Sequence, residues 1–217
     1  SLLDKKSFVR PMDIASAAIS LLKSDPRLKQ HMQTFSVAEQ KPNMLEIITD
    51  LCELPLAIKL MSVCPLSDLE LENLLKKLRA KLLLSISELK GTPEELKFQS
   101  ALALQCFTNE YIYNQSEYEE KAVTALEAEI KQTLNNGDQP NPQSVLCLAS
   151  YRPLYQYEWS SSFLITNEIE DVFRRQVIEP NQETQLGSVL PVLGDITDKV
   201  SSKVRDQYEV SPYPRWV

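Results

Sequence analysis

Apolar residues recur every three or four positions along most of this chain, which is the spacing that places them on one face of an α-helix. The clearest stripe predicts a helix that begins at Ser67 or Asp68 and ends near Leu89, with Leu71, Leu74, Leu75, Leu78, Leu82 and Ile86 facing a core. No segment shows the strict alternation of apolar and polar residues that is typical of strands. The pattern therefore predicts an all-α fold.

Capping signals fix several helix ends. Thr92-Pro93-Glu94-Glu95 and Ser116-Glu117-Tyr118-Glu119 have the form of capping boxes, so a helix should begin at each. Asp13 is placed to cap the first helix, whose predicted inward residues are Ile14, Ala17, Ala18, Leu21 and Leu22. Further helices are predicted near residues 44–48, 54–63, 142–151, 167–179 and 196–208.

Short loops between these helices favour antiparallel neighbours, in either a bundle or a short stack of helix pairs. We predict one helical domain over residues 1–206, followed by a proline-rich extended linker over residues 207–217. The break at Cys64-Pro65 is the candidate internal boundary, and residues 1–90 are either a separate lobe or part of the same domain. The 34-residue repeat of tetratricopeptide proteins is missing.

Composition excludes several functional classes. The net charge is −7, and the main basic grouping, residues 76–81, should form a solvated helix face, so we expect no nucleic-acid partner. No apolar run is long enough for a membrane span and no leader sequence is evident, which indicates a cytoplasmic protein without membrane contact. The single histidine, His31, is expected on the surface or at a cap, and the four cysteines are expected to be buried free thiols.

The four glycines are too widely spaced for a phosphate-binding or dinucleotide-binding loop, so we expect no cofactor-binding residue in this chain. Because the chain has a single histidine, we also expect no metal site and no catalytic residue. Residues 101–107 are apolar on nearly every side and should form the central helix. Three polar residues on this helix are predicted to be buried: Gln105, Asn109 and Glu110. They form either a structural hydrogen-bonded network or a functional site.

Residues 151–159 hold the densest group of aromatic side chains, namely Tyr151, Tyr155, Tyr157 and Trp159. This aromatic cluster is either packed between helices or exposed as a recognition surface.

The C-terminal residues suggest a junction between domains. Pro212 and Pro214 favour an extended, polyproline-like strap that carries Tyr213, Arg215 and Trp216. The sequence Gln207-Tyr208-Glu209, followed by Pro212-Tyr213-Pro214-Arg215-Trp216, resembles the element that precedes the catalytic domain in one bacterial family of S-adenosylmethionine-dependent methyltransferases, often fused to tetratricopeptide repeats. Weaker matches occur at residues 106–111, at residues 148–154 and at Glu179-Pro180, whereas Val210-Ser211 departs from the family pattern.

This resemblance implies that the chain is the helical region in front of a methyltransferase domain, which would bind S-adenosylmethionine. The sequence leaves the methyl acceptor open, and a protein or peptide is one candidate. The resemblance also implies that Tyr208, Tyr213, Arg215 and Trp216 lie against that domain near its substrate mouth, or else form a packed interdomain hinge. The alternative hypothesis is a free-standing helical interaction module, a scaffold of the tetratricopeptide kind, whose apolar grooves bind a partner helix or peptide.

Overall fold

The computed structural model describes residues 10–36, 43–189 and 199–210, and all regular structure in these ranges is helical. The α-helices are α1 (Pro11–Leu22), α2 (Pro26–Ser36), α3 (Met44–Cys52), α4 (Pro55–Val63), α5 (Leu69–Leu84), α6 (Pro93–Thr108), α7 (Glu117–Asn135), α8 (Pro142–Ala149), α9 (Glu170–Phe173), α10 (Glu179–Val189) and α11 (Lys199–Val210). Short 3₁₀ turns cover Ile86–Glu88, Leu154–Gln156 and Glu158–Ser162, and a π turn covers Arg174–Ile178. The predicted all-α fold is confirmed.

Helix α6 is the central element, as its apolar sequence predicted. It packs against α3 and α4 on one side and α8 on the other. Residues 101–106 are all buried, and they are divided between two apolar cores. Ala101, Leu102 and Cys106 belong to the first core, with α1 to α5. Ala103 and Leu104 belong to the second, with α7, α8 and residues 151–177.

The two cores do not divide the chain at the predicted boundary. Cys64 and Leu66, on either side of Pro65, both pack in the first core. This core is completed by α6, which begins at Pro93. Helices α1 to α5 therefore share their core with α6, although Leu83 of α5 packs in the second core and Tyr113, after α6, packs in the first.

Both predicted capping boxes are present. The Glu95 backbone N–H donates to Thr92 Oγ1 at 3.3 Å, and Glu95 Oε2 accepts from the Thr92 N–H at 3.0 Å. The same reciprocal pair joins Ser116 and Glu119 at the start of α7. Each box satisfies two backbone N–H groups that the first helical turn leaves without intrahelical partners.

The first helix begins earlier than predicted. Arg10 is its N-cap residue and Pro11 occupies the first helical position, so Asp13 lies within the first turn. The buried residues are Ala15, Ile19 and Leu22, whereas Leu21 is 67% exposed. The predicted inward face was therefore wrong in part.

The predicted end of a helix before Pro180 is also wrong. The helical segment that starts at Glu170 continues through the π turn and into α10, which reaches Val189. A proline inside an α-helix lacks one N–H donor, and its ring collides with the carbonyl four residues earlier. The π turn directly before Pro180 is wider than an α-helical turn, because the Glu179 N–H donates to the carbonyl of Arg174, five residues earlier. The wider turn changes the spacing between the proline ring and the preceding carbonyls.

The last described helix passes the predicted start of the linker, because α11 includes residues 207–210. The remaining linker residues, with Tyr213, Arg215 and Trp216, lie outside the described residues, as does the side chain of Tyr208. Among the helices that the structure describes, none has the length and apolar character needed to cross a membrane.

Candidate functional site

A completely buried arginine lies between the two cores. Arg79 belongs to the basic grouping, residues 76–81, that was predicted to form a solvated helix face. The prediction was wrong for Arg79, whose side chain is 0% exposed. Arg79 follows Leu75 by four positions and precedes Leu83 by four, so it shares the inward face of α5 with two buried leucines. Lys77 and Lys81, on the other face of the helix, are exposed as expected.

The guanidinium group of Arg79 is held by backbone carbonyls from distant segments. Its Nη2 donates to the carbonyls of Tyr113 and Asn114 at 3.2 and 3.1 Å, and its Nη1 donates to the Ser150 carbonyl at 3.5 Å. Its central carbon lies 4.1 Å from the ring centre of Tyr151 and 5.4 Å from that of Tyr113. Carbonyl dipoles and ring faces both favour a cation, and together they offset much of the cost of burying it.

A buried carboxylate balances this charge. Glu119 Oε1 lies 3.8 Å from Arg79 Nη2 and accepts a hydrogen bond from the Tyr151 hydroxyl at 2.7 Å. Its Oε2 accepts from the backbone N–H and the hydroxyl of Ser116, both at 2.9 Å. Burial acts to raise the pKa of Glu119, but the hydrogen bonds and the charge of Arg79 outweigh it, so the pKa lies below its usual value. The side chain is therefore ionised at neutral pH.

We define the Arg79 cluster as Arg79, Tyr113, Glu119 and Tyr151, with the thiols of Cys106 and Cys147 nearby. Burial raises the pKa of both thiols to about 12, although the charge of Arg79 opposes the shift. All four cysteines are free and buried, as predicted. Thiols that remain protonated and shielded are poor nucleophiles, so these two act as packing groups.

The chain leaves α6 through a strained turn. Glu110 and Tyr111 have φ values of 58° and 57°, in the left-handed region that residues with side chains seldom adopt. Several contacts hold this conformation. The Tyr111 N–H donates to the Cys106 carbonyl at 2.8 Å, and the Tyr111 hydroxyl donates to the Ala149 carbonyl at 3.1 Å. Arg79 fixes the two carbonyls that follow the turn. We call residues 109–112 the left-handed turn.

The three polar residues predicted to be buried together differ in their exposure. Gln105 is completely buried. Its side-chain amide is assigned the orientation that satisfies its neighbours: the nitrogen donates to the carbonyls of Met61 and Cys64, at 3.1 and 3.0 Å, and the oxygen accepts from the Leu66 N–H at 3.0 Å. Asn109 is half-buried and is the C-cap residue of α6. Glu110 is exposed, contrary to the prediction, because the helix ends at Thr108 and Glu110 lies in the left-handed turn.

A groove lies beside the left-handed turn, with a volume of about 470 Å³. We call it the α4–α6 groove, since the connection after α4 and the end of α6 form its two sides. Ile112 is 71% exposed at its edge. Glu72 and Glu110 are the ionisable residues of the lining, which consists of Pro65, Leu66, Ser67, Glu72, Thr108, Asn109, Glu110 and Ile112. The groove is thus partly apolar and distinctly acidic.

Gln176, on the π turn, is a second buried polar residue that the sequence analysis missed. Its amide nitrogen donates to the carbonyls of Ala103 and Ala149 at 3.2 and 3.1 Å, and its oxygen accepts from the Leu154 N–H at 3.2 Å. It joins α6, the end of α8 and the following 3₁₀ turn. The sequence signal that could have identified Gln176 as buried is its position within the apolar stripe of Val172, Phe173 and Val177.

The aromatic cluster is mainly packed rather than exposed. Tyr151 is 2% exposed within the second core. Tyr157 stacks on Trp159 with ring centres 4.4 Å apart, and Trp159 meets Phe163 edge-on at 5.7 Å. Tyr155 is the exposed member, at 44%. Of the two interpretations that the sequence left open, packing between helices accounts for most of this group.

His31 is buried rather than on the surface as expected, and its Nε2 lies 2.7 Å from Asp50 Oδ2. Within the described part of the chain, no three histidine, cysteine or acidic side chains come together as a metal site. Comparison with protein-family models, curated proteins and solved structures found no match to this chain.

Proposed function

We propose that this chain is a non-catalytic helical accessory region of an S-adenosylmethionine-dependent methyltransferase in the cytoplasm. In this proposal the catalytic domain follows the C-terminal linker and binds S-adenosylmethionine. The helical region supplies it with an interdomain packing, lid or substrate-binding surface, and the substrate is a protein or peptide. Tyr208, Tyr213, Arg215 and Trp216 form the junction between the two parts.

One observation carries the proposal: two separate segments that resemble the methyltransferase family contact each other at the Arg79 cluster. Tyr111, in residues 106–111, donates its hydroxyl hydrogen to the Ala149 carbonyl in residues 148–154 at 3.1 Å. Arg79 reaches Ser150 in the second segment. This hydrogen bond joins two segments through residues that are 38 positions apart in the chain. The contact supports treating the two segments as a single structural motif.

The chemistry of the buried ionisable groups supports an accessory role. Glu119 is held by Ser116, Tyr151 and Arg79, and it lies inside the fold rather than in a cleft. The Cys106 thiol stays protonated. Catalytic acids and bases need a pKa near the working pH and access to a substrate, and these groups have neither. They are suited to fixing the shape of a surface.

The direct test is to read the coding sequence beyond the codon for Val217. We expect a β-strand sequence followed by a G-x-G-type loop, because a methyltransferase domain needs such a loop to approach its cofactor. A stop codon directly after Val217 would contradict the proposal.

A second test is calorimetric titration of the 217-residue chain with S-adenosylmethionine. No binding heat is expected from this chain, whereas the same titration on the longer protein should show a saturable signal. Tight binding by the 217-residue chain would overturn the proposed separation of cofactor binding from the helical region.

The α4–α6 groove favours a second candidate, a free-standing interaction module. The groove, with Ile112 exposed at its edge, offers a concave surface in which a short peptide segment could bind. The reading-frame test separates the two candidates, because a stop codon would leave this one in place.

A further inference from the structure

The α4–α6 groove lies at the C-terminal ends of two helices. Helix α4 ends at Val63, shortly before the lining residue Pro65, and α6 ends at Thr108, which is itself part of the lining. The carbonyls of a last helical turn carry the partial negative charge of the helix dipole. Neither helix has a basic residue in its last turn. The backbone on both sides of the groove therefore favours a cation.

A side-chain carboxylate adds to this negative potential. Glu72 of α5 lines the groove, is half-buried and forms no ion pair with another described residue. Of the described residues in the lining, none is a lysine or an arginine. Water screens a half-buried carboxylate less than an exposed one, so it gains more from a nearby cation. Glu72 is thus the charge that a bound cation would meet.

Asn109, also in the lining, holds a hydrogen-bond acceptor that lacks a donor. Its Oδ1 is buried and accepts no hydrogen bond from the described residues. The end of α6 does not depend on this oxygen, because the Asn109 backbone N–H donates to the carbonyls of Gln105 and Phe107. A buried acceptor without a donor costs free energy, which the N–H of a ligand would recover. A modest rotation of the half-buried side chain turns the oxygen toward the groove.

The rest of the groove is apolar and preformed. Pro65, Leu66 and Ile112 supply apolar surface, and the volume of about 470 Å³ suits one long side chain with its neighbours rather than a whole helix. The adjacent left-handed turn is fixed by the hydrogen bond from the Tyr111 N–H to the Cys106 carbonyl at 2.8 Å. A preformed groove needs little ordering when a ligand binds. The matching ligand therefore combines an alkyl chain with a compact cation.

We propose that the α4–α6 groove binds a lysine side chain of a protein or peptide partner, with its ammonium group at Glu72 and Asn109 and its alkyl chain against Ile112. The ammonium group is a compact charge with three donors, so it can reach acceptors that belong to different helices. The inference goes beyond the proposed function, because it depends on the groove and not on a following methyltransferase domain.

The test is an NMR titration of the ¹⁵N-labelled 217-residue chain with N-acetyl-lysine methylamide. The matched compound, N-acetyl-norleucine methylamide, keeps a similar alkyl chain and lacks the ammonium group. We expect the lysine compound to shift the backbone amide signals of Leu66, Asn109 and Ile112 along one saturable curve. The norleucine compound should bind about twofold to fivefold more weakly, the factor expected for one partly exposed ion pair.

A substitution of the carboxylate tests its role separately. Glu72→Gln keeps the side-chain size and removes the charge, so it should weaken lysine binding about twofold to fivefold and leave norleucine binding unchanged. The matched control is Glu120→Gln, at an exposed α7 carboxylate outside the groove, and it should change neither affinity. Amide signals that keep their positions outside the groove would show that the fold of each variant is intact.

Three results would overturn the proposal. Equal affinities of the unsubstituted chain for the two compounds would show that the groove does not recognise the ammonium group, whatever the variants do. Shifts confined to residues outside the lining would place the binding site elsewhere. A loss of lysine binding no larger in Glu72→Gln than in Glu120→Gln would remove Glu72 from the site.

Discussion

Replacing Arg79 by methionine tests whether the buried arginine stabilises the joint between the two cores. Methionine fills much of the same space and removes both the charge and the hydrogen-bond donors. The carbonyls of Tyr113, Asn114 and Ser150 would lose their donor, and Glu119 would lose its nearby cation. Backbone carbonyls cannot be exchanged for apolar groups, so the substitution leaves buried acceptors without partners.

The expected loss follows from these contacts. A hydrogen bond to a charged group contributes about 1.5–3 kcal/mol, but the three share one guanidinium group and do not add. Removing one partner of a buried ion pair costs about 3–5 kcal/mol. Glu119 keeps its hydrogen bonds from Ser116 and Tyr151, which limits the penalty. We expect Arg79→Met to lower the free energy of unfolding by about 3–5 kcal/mol, a large share of the ~5–15 kcal/mol of an ordinary domain.

The assay is urea unfolding at pH 7, followed by circular dichroism. Arg79→Lys should be intermediate, because lysine keeps the charge but cannot reach two adjacent carbonyls with a planar fork. Lys81→Met is the matched control on the exposed face of the same helix, and it should change the stability by less than about 0.5 kcal/mol. If the free energy of unfolding of Arg79→Met lies within about 1 kcal/mol of that of the unsubstituted chain, the argument from buried carbonyls is wrong.

Four further substitutions test other parts of the fold. Gln176→Met should cost about 1–3 kcal/mol in urea unfolding, since it leaves the Leu154 N–H buried without a partner and removes one donor from each of the Ala103 and Ala149 carbonyls. A loss under about 0.5 kcal/mol would contradict this role. Glu119 has a lowered pKa, so its ionised form stabilises the fold above the ordinary pKa of 4.5. The stability difference between the unsubstituted chain and Glu119→Gln should therefore shrink as the pH falls below that value, and a constant difference from pH 7 to pH 3 would refute the assignment. Gly91→Ala should destabilise by about 1–2 kcal/mol, because φ is +66° and the new Cβ would lie 2.6 Å from Gln143 Oε1, whereas Gly187→Ala in the open helix α10 should stabilise by about 0.5–1 kcal/mol. Equal shifts in melting temperature for the two glycine variants would contradict this argument.

The features that the sequence predicted well depend on local interactions. The capping boxes at Thr92 and Ser116 need only four consecutive residues, and both are present. The stripe on α5 and the apolar character of residues 101–106 likewise depend on spacing along one helix. Local hydrogen bonds and periodicity are sufficient in these cases, because the elements that pack against each helix do not alter where it begins.

The features that were missed depend on residues far apart in the chain. Arg79 resembles its lysine neighbours in sequence, and the carbonyls that make its burial favourable lie 34, 35 and 71 positions later. Gln176, on the π turn before Pro180, has partners that include Ala103, 73 positions away. Glu110 was predicted to be buried because the helix was expected to continue through it. No window of neighbouring residues contains this information.

The Arg79 cluster stabilises the strained left-handed turn, and this gives a structural reason for burying a charged residue there. Two consecutive residues with positive φ cost of the order of 1–3 kcal/mol each, and such strain persists where the surroundings determine the conformation. A buried ion pair is not by itself a favourable choice, since replacing both partners by apolar residues of similar volume often leaves the stability unchanged or raises it. The planar guanidinium group, however, can hold the carbonyls of Tyr113 and Asn114 together, which no apolar side chain can do. The cost of the strain and of the buried charge is thus accompanied by a fixed backbone geometry at the edge of the α4–α6 groove.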